Sequence, residues 1–242
     1  MPRPSLFCKN RIKTNKKTQT IDRLPSDRTD RELTMLKSIR LTSTDFRGLL
    51  NPRFFKNFLP FPATNQSYYE VATPDFELPD ITNQRRVRLR DYRGKQPVVL
   101  AFTRIFTEKQ YCPLCFPHLV QLNEQYETFQ ALGVEVFTIA SIDERQSQIV
   151  VRDLGLKLPL LSDSDCNVFR AYRVGQALGA PLPAQFVLDR QGKLRYKHLF
   201  SFLEPNAPTE MLLEKAESVA DSQDTTNTVE AEREHPSENS QS

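Results

Sequence analysis

The sequence predicts an α/β fold in which a central mixed sheet is flanked by helices. Residues 97–102 form a continuous apolar run, which is typical of a central strand covered on both faces. Apolar side chains then recur at helical spacing from Leu119 to Phe129, and Gly133 is a stop signal for this helix. A second apolar strand pattern follows at residues 134–139. A strand, a helix and a strand joined in this way form a right-handed crossover, which makes the two strands parallel.

Further elements are expected on both sides of this crossover. Residues 76–94 alternate Val87 and Leu89 with arginines around a polar turn, which predicts an N-terminal β-hairpin extension. After the crossover, the pattern predicts a helix, a short strand and a second helix at residues 144–154, 158–163 and 165–172. The last two strands, at 184–189 and 194–198, flank a turn and predict an antiparallel hairpin, with a short final helix after Pro208.

Composition limits the class of protein. The 242-residue chain is 38% hydrophobic and 26% charged, which suits one domain with tails. No run of about 18 apolar residues exists to cross a bilayer, and the start lacks the apolar stretch of a secretory signal. We therefore expect a cytoplasmic protein with no membrane span. The net charge of +3 is too small to predict a nucleic-acid surface.

The two ends differ from the middle of the chain. Residues 1–34 hold nine Lys/Arg and four Asp/Glu and few periodic apolar positions, which predicts a disordered basic leader. A targeting or partner-binding arm is the alternative, and translation from Met35 is a further hypothesis. Residues 217–242 are acidic and lack aromatic side chains, so we expect a disordered tail.

A Phe-rich segment at residues 35–69 precedes the predicted domain. Asn51 can cap a short helix that begins at Pro52. Three- and four-residue spacing would then give this helix one apolar side, formed by Phe54, Phe55, Phe58 and Leu59. We expect this side to pack on the body of the protein, with a dimer contact or a membrane-surface contact as alternatives.

Cys112 and Cys115 stand at the start of the crossover helix, where open α/β sheets place their sites. Free backbone amides and the helix dipole stabilise a thiolate at that point, so Cys112 is the expected nucleophile. Cys115, one turn deeper, is placed to attack a mixed disulfide formed at Cys112. Pro117 disfavours helical geometry at Phe116, and a helix that begins only there would weaken the dipole argument for Cys112.

The cysteine pair has two other interpretations. A structural zinc site needs about four ligands, and His118 is the only third candidate nearby, with Cys166 far along the chain. Two buried core cysteines would not explain a Cys-Pro-Leu-Cys arrangement at a strand-to-helix junction. We therefore expect a redox pair, with no metal and no cofactor. His118 is expected on the helix surface, Cys166 in the core and Cys8 in the leader.

Several stretches resemble the AhpC/TSA (peroxiredoxin-like) family of the thioredoxin-like superfamily, over roughly residues 70–216. They are 75–102, the cysteine pair, 158–174 and 182–198. The resemblance implies a thioredoxin-like fold and a thiol-based redox activity. It also implies that Cys112 and Cys115 are the active-site pair, and that Pro183 is a cis-proline that faces them and presents backbone to a substrate.

The chain departs from the peroxidases of that family at two positions. They carry Thr or Ser three residues before the reactive cysteine, where this chain has Lys109, and an Arg where Pro183 stands. Thr107 would replace the hydroxyl only if the loop folds around two extra residues. Arg104 would supply positive charge from the end of the strand.

These observations predict a thiol-disulfide oxidoreductase that acts on a protein disulfide and takes electrons from a thiol reductant such as a thioredoxin. The first alternative is a thiol-dependent peroxidase, in which a hydroperoxide oxidises Cys112 and Cys115 resolves the product. The second alternative is a non-catalytic redox sensor or metal-binding adaptor. A homodimer is compatible with all three.

Overall fold

A seven-stranded mixed sheet forms the centre of the fold. The structure is a computed structural model, and it describes residues 52–64 and 73–221. The strands are β1 (Glu77–Asp80), β2 (Arg85–Arg88), β3 (Val98–Thr103), β4 (Ile105–Thr107), β5 (Gln110–Tyr111), β6 (Glu135–Ala140), β7 (Leu160–Ser162), β8 (Gln176–Ala177), β9 (Ala180–Pro181), β10 (Ala184–Leu188) and β11 (Leu194–Leu199). The helices are α1 (Pro52–Lys56), a 3₁₀ turn (Leu89–Tyr92), α2 (Phe116–Ala131), α3 (Glu144–Leu154), α4 (Asn167–Ala171) and α5 (Thr209–Asp221).

The strand order of the large sheet is β11-β10-β3-β6-β7-β1-β2. β3 pairs in parallel with β6 across α2, which confirms the predicted crossover, and β6 pairs in parallel with β7. β10 pairs antiparallel with both β3 and β11, so the predicted C-terminal hairpin is also present. The β1–β2 hairpin joins the opposite edge through one pairing with β7, between Asp80 and Leu161. The α/β class with a mixed sheet is therefore confirmed.

Each face of the sheet carries its own apolar core. Because side chains alternate along a strand, Val99 and Ala101 of β3 enter one core, whereas Leu100 and Phe102 enter the other. The first core is covered by α2, α3 and α5, and the second by α4 and the 3₁₀ turn. This two-sided cover explains why every residue of β3 is buried.

The crossover helix α2 begins and ends where residue types dictate. Its first residue is Phe116, with Cys115 at the N-cap and Pro117 in the first turn, where a missing amide hydrogen costs nothing. Beyond its end, Gly133 takes a φ of +68°, and the Val134 amide donates to the Phe129 carbonyl at 3.0 Å. Gly133 is thus the stop signal that the sequence predicts.

A small hairpin, β4–β5, separates β3 from α2 and was not predicted. Ile105 pairs with Tyr111, and Thr107 pairs with Gln110. Strands of two or three residues are too short to show an alternating pattern, so the sequence gives no signal for them. The hairpin sets the position from which the chain enters the cysteine turn.

The N-terminal segment 52–64 contacts the rest of the structure through a different face from the one expected. α1 does begin at Pro52, whereas Asn51 lies outside the described residues. Asn57 is 1% exposed, and the Arg53 guanidinium donates to the Phe106 carbonyl at 2.6 Å. Phe54 is half-buried against Gly179, but three of the four apolar side chains expected to dock are exposed: Phe55, Phe58 and Leu59. The expectation fails because Arg53 and Asn57, one turn apart, form the inward side of so short a helix.

Much of both predicted tails lies outside the described residues. The leader 1–34 is among these, as is most of the 35–69 segment, so both remain predictions. At the other end, α5 continues to Asp221, beyond the expected boundary at 216, because Val219 extends its buried face. Within 52–64 and 73–221, no helix has both the length and the apolar character needed to cross a membrane.

Candidate active site

Cys112 and Cys115 lie in a turn that links the β4–β5 hairpin to α2. Cys112 directly follows β5, and the amides of Cys115 and Phe116 both donate to its carbonyl at 3.0 Å. Cys115 is the N-cap residue of α2, and its carbonyl accepts the Leu119 amide at 2.9 Å. Both thiols are free, and the exposed fraction is 8% for Cys112 and 1% for Cys115. The turn therefore holds two buried cysteines, of which Cys112 retains the larger exposed fraction.

The two thiols differ in acidity. A hydrogen bond from the Cys115 thiol lowers the pKa of Cys112, and the amides of Leu114 and Cys115 and the charge of Arg104 lower it further. The same contact with Cys112, together with burial, raises the pKa of Cys115. This asymmetry is the one that an attacking Cys112 and a resolving Cys115 require.

The donors to the Cys112 sulfur belong to the turn and not to the helix. Since α2 begins only at Phe116, Cys112 lies outside its first turn. The expectation that Cys112 lies at the helix start is therefore wrong. The helix begins late because Pro117 disfavours helical geometry before it, as the sequence indicated. Backbone amides still stabilise the thiolate, because those of Leu114 and Cys115 lie beside it in the turn and lower its pKa.

Arg104 lies beside the cysteine pair at the end of β3. Its carbonyl accepts the Cys112 amide at 3.3 Å, and its guanidinium interacts with both sulfurs. One guanidinium nitrogen donates to the Ala177 carbonyl, and the group lies 4.7 Å from the ring centroid of Phe106. Burial lowers the pKa of Arg104, but a guanidinium keeps its charge at any physiological pH. The pair thus has a buried positive charge as its neighbour.

Thr107 lies near the tip of the β4–β5 hairpin. It is buried, and its hydroxyl accepts the Lys109 amide at 3.2 Å. The hydroxyl is therefore engaged within the hairpin turn, and its contact with a substrate stays a prediction. Lys109, which stands where peroxidases carry Thr or Ser, supplies the amide of this bond.

His118 is buried, so its expected place on the helix surface is wrong. The loop ahead of α5 covers it: His118 is 7% exposed, and its ring hydrogen-bonds the Ala207 carbonyl. Burial lowers the pKa of His118 to about 4. Its Nε2 atom has no hydrogen-bond partner within the described part of the chain.

Two amide side chains next to this site had no signal in the sequence. Asn206 donates through Nδ2 to the Leu114 carbonyl at 2.9 Å, and Gln185 donates through Nε2 to Asn206 Oδ1 at 3.0 Å. Asn206 is far from the cysteines along the chain and belongs to no motif with them. Only the packing of β10 and the loop before α5 brings these amides to the turn.

Comparison with known proteins identifies the family. The sequence model of the AhpC/TSA family matches residues 70–197, which is more than half of the chain. The chain belongs to the AhpC/TSA family.

It is 34% identical to thiol-disulfide oxidoreductase ResA of Geobacillus thermodenitrificans over 126 residues, covering 51% of this chain and 65% of the relative. It is 32% identical to Peroxiredoxin 2 of Thermoplasma acidophilum over 131 residues, covering 51% of this chain and 62% of the relative. The chain thus spans less than two thirds of the length of these two proteins.

Solved structures share the fold of this AhpC/TSA protein. The crystal structure of Enterococcus faecalis AhpC has a TM-score of 0.55 and 18% identity, covering 71% of this chain and 99% of that one. The reduced 2-Cys peroxiredoxin of Plasmodium vivax has a TM-score of 0.54 and 18% identity, covering 61% of this chain and 79% of that one. These matches confirm the thioredoxin-like fold.

Pro183 does not have the cis peptide bond that the AhpC/TSA resemblance implied. Among the described residues no peptide bond is cis, so Leu182–Pro183 is trans. The trans form of such a bond is the more stable one. The Leu182 amide, on the residue before this proline, donates to the Gly175 carbonyl at 3.0 Å. A substrate contact at Pro183 remains a prediction.

Cys166 is the third cysteine of the described region and, as expected, lies in a core. It is 1% exposed, and Asn57 Nδ2 donates to its sulfur at 3.7 Å. Cys8 lies outside the described residues. No group of three or more His, Cys, Asp or Glu side chains within 52–64 and 73–221 is arranged to hold a metal ion.

Proposed function

We propose that this AhpC/TSA protein is a thiol-disulfide oxidoreductase that uses Cys112 and Cys115 as a reversible dithiol. The observation that carries the proposal is the unequal acidity of two neighbouring buried thiols, of which the more acidic, Cys112, retains the larger exposed fraction. The relative named thiol-disulfide oxidoreductase, at 34% identity, supports the same activity.

The proposed reaction has two exchange steps. The Cys112 thiolate attacks one sulfur of a substrate disulfide, the substrate S–S bond breaks, and the departing sulfur takes up a proton. Cys115 then loses its proton and attacks the Cys112 sulfur, which releases the second substrate thiol. The substrate gains two electrons, and the protein is left with a Cys112–Cys115 disulfide that an external thiol reductant must reduce.

The first step prepares the second. While Cys112 is a thiolate, its negative charge and its hydrogen bond keep the Cys115 proton in place. Formation of the mixed disulfide removes that charge, so the pKa of Cys115 falls just when this thiol is needed. Arg104, which faces both sulfurs, remains to stabilise the second thiolate.

Exposed apolar side chains near the turn favour a polypeptide as the substrate. Leu114, between the two cysteines, is 52% exposed. The loop that carries Asn206, which hydrogen-bonds to Leu114, also presents Phe202 and Leu203 at 92% and 95% exposure. Such side chains suit contact with a protein chain, whereas a small peroxide gains nothing from them.

A thiol-dependent peroxidase is the second candidate. In this reaction the Cys112 thiolate attacks a peroxide oxygen, the O–O bond breaks, and water or an alcohol leaves. Cys115 then attacks the sulfenic sulfur and releases water as the disulfide forms. The buried charge of Arg104 and the relative named Peroxiredoxin 2 favour this candidate. Lys109 and Pro183, at the positions where peroxidases place a hydroxyl and an Arg, weigh against it.

The proposal extends to partners and compartment. A reduced thioredoxin is a suitable electron donor, a homodimer is a compatible assembly, and we place the protein in the cytoplasm. A non-catalytic redox sensor or metal-binding adaptor, the third interpretation, would form the disulfide or bind zinc without turnover.

Two assays on one preparation test the proposal. Reduction of a disulfide-bonded model protein such as insulin is measured beside consumption of hydrogen peroxide, both with a thioredoxin system and both against Cys112→Ser. We expect disulfide reduction to be lost in the variant and peroxide consumption to be slow in the wild type. Fast peroxide consumption without disulfide reduction would reverse the two candidates, and bound stoichiometric zinc would remove both.

A further inference from the structure

A chain of hydrogen bonds runs from strand β10 to the cysteine turn. Gln185 is fully buried, and its Oε1 accepts the Ala207 amide at 2.8 Å. Gln185 Nε2 donates to Asn206 Oδ1 at 3.0 Å, and Asn206 Nδ2 donates to the Leu114 carbonyl at 2.9 Å. The two side-chain donors, Gln185 Nε2 and Asn206 Nδ2, thus follow one another from β10 to the turn.

The orientation of both amide side chains is determined by the first bond. A backbone N–H can only donate, so the Ala207 amide must face the oxygen of the Gln185 side chain. The Gln185 nitrogen is then left to face Asn206, which must present its own oxygen. Asn206 therefore has its NH₂ group free for Leu114, without any choice between flipped forms.

The last link is the peptide group between Leu114 and Cys115. Its carbonyl accepts from Asn206, and its N–H donates to the Cys112 carbonyl at 3.0 Å and also lowers the pKa of the Cys112 thiol. Hydrogen bonds in series polarise one another, so the bond at the carbonyl strengthens the donor on the other side of the same peptide. The bond also opposes rotation of that peptide plane.

We propose that Asn206, oriented by Gln185, is a positioning residue that fixes the Leu114–Cys115 peptide, whose N–H donates to the Cys112 carbonyl and so holds the cysteine turn closed around the Cys112 thiol. Its importance for turnover rests on the proposed function, but the interaction is a property of the reduced protein alone. The titratable and charged groups that face Cys112 are Cys115 from the same turn and Arg104 from the end of β3. Replacing the neutral Asn206 amide by a methyl group alters neither of them.

The test is the pH profile of Cys112 alkylation in the reduced full-length protein. The rate of iodoacetamide labelling at Cys112, assigned by peptide mass spectrometry, is measured for wild type and Asn206→Ala. We expect the midpoint of Asn206→Ala to lie about half a pKa unit higher, which means roughly threefold less thiolate below the midpoint. The isosteric Asn206→Asp, which cannot donate to Leu114, should shift the midpoint at least as far.

Ser201→Ala is the matched control. Ser201 lies in the same loop and exchanges hydrogen bonds with Glu204, outside the chain that leads to Leu114. We expect its profile to coincide with that of the wild type, and thermal unfolding shows that each variant is folded. Profiles of both Asn206 variants that coincide with the wild type would overturn the proposal. A wild type that forms no Cys112–Cys115 disulfide would instead defeat the proposed function, and the alkylation result would stand separately.

Discussion

The reactivity of Cys112 comes from groups within one turn of backbone. Its thiolate accepts hydrogen bonds from the Cys115 thiol and from two amides, and the contact with Cys115 has the largest effect on its pKa. The helix that follows contributes less than its position in the sequence suggests, because it starts at Phe116. The chemistry at residue scale therefore depends on which side chain stands at position 115.

Substitutions at Cys115 should separate the hydrogen bond from the resolving thiol. Cys115→Ala removes the donor, so the pKa of Cys112 should rise by about one unit and its thiolate should be scarcer at neutral pH. Cys115→Ser keeps a hydroxyl donor and should stay near the wild type. The pH profile of iodoacetamide labelling at Cys112 measures both variants. Equal profiles for the two would show that the Cys115 side chain does not set this pKa.

Arg104 provides a second prediction at residue scale. Arg104→Met removes the buried positive charge beside both sulfurs, so we expect the pKa of Cys112 to rise. Arg104→Lys retains a charge but lacks the planar group that donates to Ala177 and lies against Phe106, so an intermediate pKa is expected. The ultraviolet absorbance of the thiolate, titrated with pH, reports the order of the three proteins. A Met variant that titrates as the wild type does would contradict this role.

At the scale of elements, α2 carries a buried imidazole that links stability to pH. The pKa of His118 is about 4 in the folded protein and about 6.5 in an unfolded chain, so the unfolded state binds the proton first. The contribution is therefore intact above pH 6.5 and is lost as pH falls toward 4. Acidification from pH 7 to pH 5 should therefore lower the free energy of unfolding by about 2 kcal/mol through His118.

His118→Leu should abolish this part of the pH dependence. Urea unfolding at pH 7 and pH 5 is measured for both proteins, and the difference between their pH slopes isolates His118 from the carboxyl groups. We expect the wild type to lose about 2 kcal/mol more than the variant on acidification. Parallel pH dependences would show that His118 is accessible to protons in the folded state.

In the N-terminal segment 52–64, the Phe54 ring packs directly against the backbone of Gly179. A Cβ on Gly179 would lie 2.0 Å from a ring carbon of Phe54, at a backbone φ of +79°. Gly133 has a similar φ of +68° but no atom within 4 Å of such a Cβ. Gly133→Ala should thus cost about 1 kcal/mol of stability from backbone strain alone, and Gly179→Ala should cost more.

Limited proteolysis separates the two effects. We expect Gly179→Ala to expose the chain near residues 52–64 to cleavage, because Phe54 must leave its place, while Gly133→Ala keeps the wild-type pattern. Cleavage patterns that are the same for both variants would mean that Phe54 does not hold the segment.

The elements differ in how far the sequence predicts them. The strands β3 and β6 are predicted from continuous apolar runs, because both of their faces are buried. The helix α2 is predicted from apolar residues at helical spacing. The β4–β5 hairpin leaves none, because its strands are too short. The inward side of α1 also escaped prediction, since its five residues dock through polar Arg53 and Asn57.

The site shows the same division. Two cysteines at close spacing are visible as a motif, and their place between a strand and a helix follows from the pattern around them. The burial of His118 and the contact of Asn206 with Leu114 depend on a loop far along the chain, which no local pattern indicates. The trans bond at Pro183 is the ordinary form of a bond to proline, and the cis form was implied by the family resemblance and not by a residue pattern.

At the scale of the whole molecule, membership of the AhpC/TSA family is compatible with two classes of substrate, disulfides and peroxides. The AhpC/TSA match covers residues 70–197, and the relatives carry the names of both disulfide oxidoreductases and peroxiredoxins. Both reactions use Cys112 first, so they differ only in what is bonded to its sulfur before Cys115 attacks. A variant that lacks the resolving thiol at position 115 stops the reaction before that attack and so distinguishes the two reactions.

Cys115→Ser provides the most direct test of the central claim. Its Cys112 retains a hydrogen-bond donor at position 115 but has no resolving thiol, so a disulfide substrate should remain attached as a mixed disulfide. The reduced variant is mixed with a disulfide-bonded model protein and, separately, with hydrogen peroxide, and a non-reducing gel is run beside a peroxide assay. We predict a covalent adduct that dithiothreitol releases and that Cys112→Ser does not form, with little peroxide consumed. Rapid peroxide consumption by Cys115→Ser, with no mixed disulfide on the gel, would contradict the account and make the protein a peroxidase.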